Sequence, residues 1–419
     1  MQIKLKYGNS YMTAEINDRH VAGVLLPKEQ AEVDNPAGLV REALSRPIGT
    51  PLLSELAAQK KPDRVVVVVN DATRPTPYDH MLPPLLDEIH SAGIYKEQIT
   101  LVIATGAHRP NTEEENRRIF SDSIVDNYRL VNHNCDENLF SLGQLSNGSD
   151  LLVNAEVAAA DLLITTGIII PHYIAGFSGG RKSILPGVAA RPLITANHAS
   201  MTDPRVDTAR WKDNPVHQLM TEAARMAGVD FILNVVTNEK NRIVAVVAGD
   251  LEEAWQAGVN ISSDLNLVDV KEPVDVVIAG SGGYPKDINL YQAQKPMDNA
   301  SRVTKDNGTI ILVAECSEGY GSPVFTNWMT EARNLQDIFE RFDKGFVLGG
   351  HKAYAYARVL DKKEVILVSA MSEKDVKNMF MTCCHTLEEA LNYAEKKHGP
   401  DYRAIIMPQA GLVLPRAGK

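Results

Sequence analysis

The chain has 419 residues, 44% apolar and 23% charged, the composition of a soluble globular protein too long for one ordinary core. A net charge of −10 argues against nucleic acid as the main partner, because phosphate binding needs a basic surface. No apolar run approaches the roughly 20 residues of a membrane span, and Met1-Gln2-Ile3-Lys4-Leu5 lacks the basic and apolar regions of a signal peptide. The expectation is a cytoplasmic protein with no membrane partner. Its cysteines, Cys135, Cys316, Cys383 and Cys384, show no CxxC spacing and read as reduced, mostly structural thiols.

In chain order, Ile3–Tyr7 and Met12–Ile16 alternate apolar and polar residues around Gly8-Asn9, which predicts a hairpin. Arg64–Asn70 is a continuous apolar strand, followed by helical periodicity over Tyr78–Ala92. Ile99–Thr105 is the next strand, and a helix begins near Thr112. Leu162–Ile170, Phe231–Val236 and Ile243–Ala248 continue the series. A charged stretch, Leu267 to Pro273, precedes a fresh start of the pattern at Val274–Gly280, with Thr309–Ala314, Gly345–Leu348, Glu364–Ser369 and Ala404–Met407 to follow. Continuous valine and isoleucine runs alternating with helices indicate sheets covered on both faces. The fold class is therefore α/β: two doubly wound, mostly parallel-sheet domains, residues 1–270 and 271–419, with the active site expected in the cleft between them.

Polar residues cluster just after the predicted strands, where ligands of such sheets bind. They run Asp71-Ala72-Thr73-Arg74-Pro75, then Gly106-Ala107-His108-Arg109-Pro110, then Pro171-His172 through Gly179-Gly180-Arg181-Lys182-Ser183, with Asn197-His198 beyond. Each has a bland reading beside the functional one. Asp71 suits a helix N-cap, Arg74 a surface arginine, and a lone loop histidine is more often solvated than catalytic. Two histidines in corresponding loops bring those readings to parity. The glycine-rich loop suits a phosphate cradle but has the wrong order for a Walker A motif. Beyond residue 270, Gln292 and Lys295 lie three apart and share one face if helical. They read either as a solvated face or as a clasp for a carboxylate.

Together these segments, with Tyr291-Gln292 and Lys295, resemble the nickel-dependent lactate racemase family over nearly the whole chain. Any one is weak, but five in the same order are specific. The resemblance implies a racemase or epimerase of a small 2-hydroxy acid, lactate or a close relative, working by reversible hydride transfer. It implies a nickel-pincer nucleotide, a pyridinium-3-thioamide-5-thiocarboxylate mononucleotide with Ni(II), tethered covalently at Lys182. His198 becomes the protein ligand to nickel, and Asp71 sits close to the cofactor. His108 and His172 become the acid/base pair, each serving as base for one enantiomer and as acid for the other. Arg74, Gln292 and Lys295 clamp the substrate, with Tyr291 lining the site. Cofactor-making enzymes become partners. Lactate-specific members carry a tryptophan near the substrate. Trp211, Trp255 and Trp328 do not match it, and the corresponding region reads His351-Lys352-Ala353-Tyr354-Ala355-Tyr356, which admits a larger or more polar 2-hydroxy acid. Two rival readings remain: an NAD-dependent oxidoreductase, which lacks its G-x-G-x-x-G fingerprint here, and a non-catalytic ligand-binding protein.

Overall fold

Five consecutive valines, Val65 to Val69, are at most 3% exposed, so this strand has no solvent face. Such burial on both sides is what a central parallel strand requires. In the computed structural model, which describes residues 1–28, 33–238, 240–345, 347 and 349–418, it lies at the middle of a six-stranded sheet. The order is Ile243–Gly249, Val229–Thr237, Leu162–Ile168, Val65–Asn70, Ile99–Ala104, Arg129–Asn132. All neighbours are parallel except the first pair. From Val65–Asn70 the chain winds outward through Ile99–Ala104 and Arg129–Asn132, then restarts on the other side at Leu162–Ile168. The switch point of the sheet lies between Val65–Asn70 and Leu162–Ile168.

A second six-stranded sheet is parallel throughout, in the order Thr382–Cys384, Glu364–Val368, Thr304–Val313, Val274–Gly280, Ala404–Met407, Val21–Val24. The predicted α/β architecture with large parallel sheets is thus present in both halves. The predicted hairpin forms from Gln2–Tyr7 and Ser10–Glu15. The expected Gly345–Leu348 strand includes Phe346 and Leu348, which lie outside the described residues.

The chain divides into two units, Gln30–Leu265 and a composite of Met1–Glu29 with Asn266–Lys419. The expected division at residue 270 put the N-terminal hairpin in the first domain. Instead Val21–Val24 pairs with Ala404–Met407 as an edge strand of the second sheet. This is a long-range pairing that local periodicity cannot disclose. The charged stretch before Pro273 contains a strand, Leu267–Val270, paired in parallel with Leu414–Ala417. No described helix is long and apolar enough to cross a membrane. All four cysteines are free.

Candidate active site

The loop after Val65–Asn70 turns at the switch point and buries Asp71, whose side chain is 4% exposed. Its Oδ2 lies 2.7 Å from His108 Nδ1, and its Oδ1 accepts from Thr73 Oγ1 at 2.7 Å. Burial alone would raise the Asp71 carboxyl, but hydrogen bonds from His108 and Thr73 outweigh it and hold the group below its ordinary value. An ionised carboxylate only accepts, so the Nδ1 of His108 carries the proton of this hydrogen bond. Half of the His108 side chain is open to solvent, at 47%. Arg74, exposed beside it, reaches Thr73 Oγ1 at 3.0 Å. Sequence reasoning placed Asp71 near a cofactor and missed its hold on His108, because strand adjacency rather than spacing brings residues 37 apart together.

The segment after Leu162–Ile168 folds into a tight hairpin in which Pro171–His172 pairs with Gly176–Phe177. Gly176 is required there: its φ is +72°, and a Cβ would come within 2.4 Å of the Arg210 carbonyl. Next, Gly180–Ser183 forms a short 3-10 turn carrying Lys182. It is pinned to the sheet by Gly180 N to Asn234 Oδ1 at 3.0 Å and by Ser183 Oγ to the Thr166 carbonyl at 3.1 Å. Burial, and then the positive charges of Arg74 and Arg181, push the Lys182 ammonium well below its usual range. Burial likewise pushes His172 well down, helped by Lys182, Arg74, His198 and Arg181. The charges of Arg74 and Lys182 thus bear on His172, and that of Arg74 on Lys182, while His198 enters the same electrostatic neighbourhood through Lys182.

His198 lies on the helix Arg191–Ala199, and its Nδ1 is 2.8 Å from the Ile194 carbonyl. A carbonyl cannot donate, so Nδ1 is protonated and the ring's lone pair sits on Nε2. Burial lowers its pKa against that hydrogen bond, which keeps the imidazole neutral, the form that ligates a metal. Among the described residues no group of three His, Cys, Asp or Glu side chains is placed to hold a metal. The neighbouring Asn197 is fully buried, and neither polar atom of its side chain has a protein partner.

Arg181, beside the tether candidate, turns inward rather than toward solvent and is 2% exposed. It donates to the carbonyls of Ala175 at 2.8 Å and Phe177 at 3.1 Å, and its guanidinium stacks 3.9 Å over the Trp255 ring. Burial lowers its pKa to about 9. Trp255 in turn stacks on His217 and meets Trp211 edge-on. Two of the three tryptophans thus support the Lys182 loop. Nothing in Gly-Gly-Arg-Lys discloses that this arginine faces the core.

In the other unit, the helix Leu290–Ser301 is capped by Asn289 and presents Tyr291, Gln292 and Lys295. Lys295 is solvent-accessible, yet surrounding protein, and then Lys286, depress its ammonium. Lys352 donates to Gln294 Oε1 at 2.7 Å and lies 5.4 Å from the Tyr291 ring centre. Tyr354 and Tyr356 are the aromatic residues of that region. Tyr356 is buried with its hydroxyl on the Leu290 carbonyl at 2.7 Å, and Tyr354 stacks on Phe342. Lys352 and His351 are the side chains set against Tyr291.

A doubly wound unit with a depressed lysine amine, two histidines and an arginine at its switch point defines an α/β enzyme site. Comparison with known proteins agrees over the whole chain. Residues 7–209 match the family model of the lactate racemase N-terminal domain, and residues 269–414 that of the lactate racemase C-terminal domain. Lactate racemase of Thermoanaerobacterium thermosaccharolyticum is 37% identical over 425 residues, 99% of each chain. That of Lactiplantibacillus plantarum is 36% identical over 428 residues, 98% of this chain and 99% of the relative. The structure of the T. thermosaccharolyticum lactate racemase apoprotein superposes with a TM-score of 0.86 at 37% identity, covering 99% of this chain and 100% of that one. A Thermotoga maritima protein at 18% identity and TM-score 0.60 shares the fold. The chain belongs to the lactate racemase family, and both relatives bear the name of an isomerase.

Proposed function

We propose that this member of the family racemises a small 2-hydroxy acid, lactate or a close relative, in the cytoplasm, with a nickel-pincer nucleotide joined to Lys182. The observation that carries the reading is the depressed amine of Lys182 in the Gly180–Ser183 turn beyond the switch-point strand Leu162–Ile168, its charge acting on both His172 and His198. A neutral amine is nucleophilic, which a covalent tether requires. His198, with its lone pair on Nε2, is the chain's ligand for nickel, and an imidazole among sulfur donors suits Ni(II). When bound, the group supplies an acceptor for the hydride on the substrate's Cα, leaving a planar 2-oxo acid.

The chain's own residues do the rest. Arg74, Gln292 and Lys295 hold the substrate carboxylate, Arg74 through its planar fork, with Tyr291 beside it. Asp71 is assigned to His108 as well as to the cofactor's surroundings, because its carboxylate fixes the ring and stabilises the charged imidazole. His108 and His172 supply the imidazoles facing the substrate. Enzymes that make the cofactor become partners.

The test is intact mass and metal analysis of protein co-expressed with cofactor-making enzymes. The expected result is an adduct that retains nickel and maps to Lys182, absent in Lys182→Ala. An adduct on another lysine, or none, contradicts the reading.

A further inference from the structure

The helices Leu290–Ser301 and Gly350–Leu360 are tied together at their first turns. The Tyr356 hydroxyl donates to the Leu290 carbonyl at 2.7 Å, and the His351 ring meets that of Tyr291 edge-on with centres 6.5 Å apart. This pairing sets Lys352 of the second helix against Tyr291 and Gln294 of the first. Its ammonium donates to Gln294 Oε1 at 2.7 Å and lies 5.4 Å from the Tyr291 ring centre. Both of these partners are neutral. The acid whose charge reaches Lys352, Asp298, already meets Arg302 and Arg358, each at 3.5 Å. Lys295, one turn beyond Tyr291, adds a like charge, and Lys286 bears on Lys295 in turn. Positive charge thus accumulates beside Tyr291 beyond what one carboxylate at Lys295 requires. Partial burial of an ammonium against an amide and a ring is costly, and it pushes Lys352 down to about 8. A second anion would offset that cost.

We propose that Lys352 is a specificity-determining residue that receives a second carboxylate of the substrate, so that the acid this enzyme prefers is a 2-hydroxy dicarboxylate rather than lactate. The inference rests on the racemase reading above and narrows its substrate. Lys295 takes the carboxylate next to the reacting carbon, as in that reading, and Lys352 takes the one at the far end. An ammonium has three donors, so Lys352 keeps its bond to Gln294 and still donates to a carboxylate oxygen. Lysine is also a point charge on a flexible stem. It can follow the far carboxylate while the oxo centre turns about the bond to its near carboxylate, which stays at Lys295. A methyl group in the same place leaves the ammonium without an anion, which sets the direction of the preference.

Two measurements test this on full-length protein verified by mass to carry its adduct. In steady state, L-malate or L-2-hydroxyglutarate should show a kcat/KM about 10–100-fold above that of L-lactate, the range of one hydrogen bond to a charged group. The ω-amide of the better diacid, of the same shape without the charge, should fall toward lactate. Lys352→Met should lower kcat/KM for that diacid about 10–100-fold more than for lactate, a ratio that partial unfolding does not move. Calorimetry with succinate and propionate, which have no hydroxyl to oxidise, makes the comparison without turnover. Succinate should bind about 10–100-fold more tightly than propionate, and Lys352→Met should erase the difference. Lactate preferred to both diacids, an amide as good as its diacid, or a variant that loses lactate and diacid in equal measure overturns the proposal and leaves the racemase reading intact. Where the variant does not fold, the diacid against its amide on the parent protein decides. A loaded enzyme inert toward every acid, yet preferring succinate through Lys352, overturns the racemase reading instead and leaves the second-carboxylate assignment standing.

Discussion

In the Gln30–Leu265 unit, the loop leaving the switch-point strand holds Asp71 against His108 at 2.7 Å, and the loop across the switch clamps His172 by two backbone amides. In the other unit the switch lies between Val274–Gly280 and Ala404–Met407, and the loop after the first of these carries no histidine. It leads instead to a helix bearing Tyr291, Gln292 and Lys295, near Lys352. The two sheets share a winding plan but not a chemistry. One edge fixes proton positions through buried partners, whereas the other offers accessible cations and amides. Architecture supplies a place for a ligand, and the loops decide whether that place reacts or only binds.

The contrast predicts that substitutions at the first edge abolish turnover and those at the second mainly weaken binding. Lys182→Ala should be the most severe, leaving no covalent adduct and no measurable racemisation while the melting temperature stays at or above that of the parent. A partly active Lys182→Ala protein would break the contrast. Asp71→Asn comes next. An amide in place of the carboxylate favours the wrong His108 tautomer, so kcat should fall by about 10²–10⁴-fold with KM little changed. Lys295→Ala should do the opposite, raising KM more than it lowers kcat. Steady-state kinetics on both variants separates the two outcomes.

Much of the first edge was legible in the sequence, because polar residues directly after continuous apolar strands must meet at one sheet edge. Arg74, His108, His172 and Lys182 were singled out that way, whereas His198, on a helix, was singled out only through the family resemblance. The partnerships were not legible. Asp71 and His108 meet through the pairing of Val65–Asn70 with Ile99–Ala104. The turn that aims two backbone amides at His172 is held by Asn214, 42 positions beyond that histidine in the sequence, by way of the Ile174 carbonyl. The place of Val21–Val24 in the second sheet was hidden for the same reason: neither it nor Ala404–Met407 carries a local mark of its partner. Arg181 was hidden more deeply, since a charged residue is seldom buried.

That last feature yields a prediction about stability rather than chemistry. Trp255 is 2% exposed and underlies Arg181, Gly180 and His217. Trp255→Ala should cost about 3–5 kcal/mol in denaturant unfolding and loosen the Lys182 loop. A loss below about 1 kcal/mol would mean the stack is incidental. The smallest effect belongs to Lys352, whose ammonium burial lowers to about 8 from 10.5. Between those values the unfolded chain binds the proton and the folded one releases it, so stability should rise with pH through that window. The gain, on the order of 1 kcal/mol, should vanish in Lys352→Met when the two proteins' unfolding curves are compared at pH 8 and pH 10.

The central claim is that the first edge, with its tether filled, inverts a 2-hydroxy acid. Loaded protein, verified by mass to carry its adduct, should be given enantiopure L-lactate and, separately, other enantiopure 2-hydroxy acids, and both enantiomers followed by chiral chromatography. The account predicts that at least one of these acids moves to an equal mixture from either side, with Lys182→Ala inert. Loaded enzyme that leaves every acid enantiopure, or a Lys182→Ala variant as fast as the parent, would contradict it.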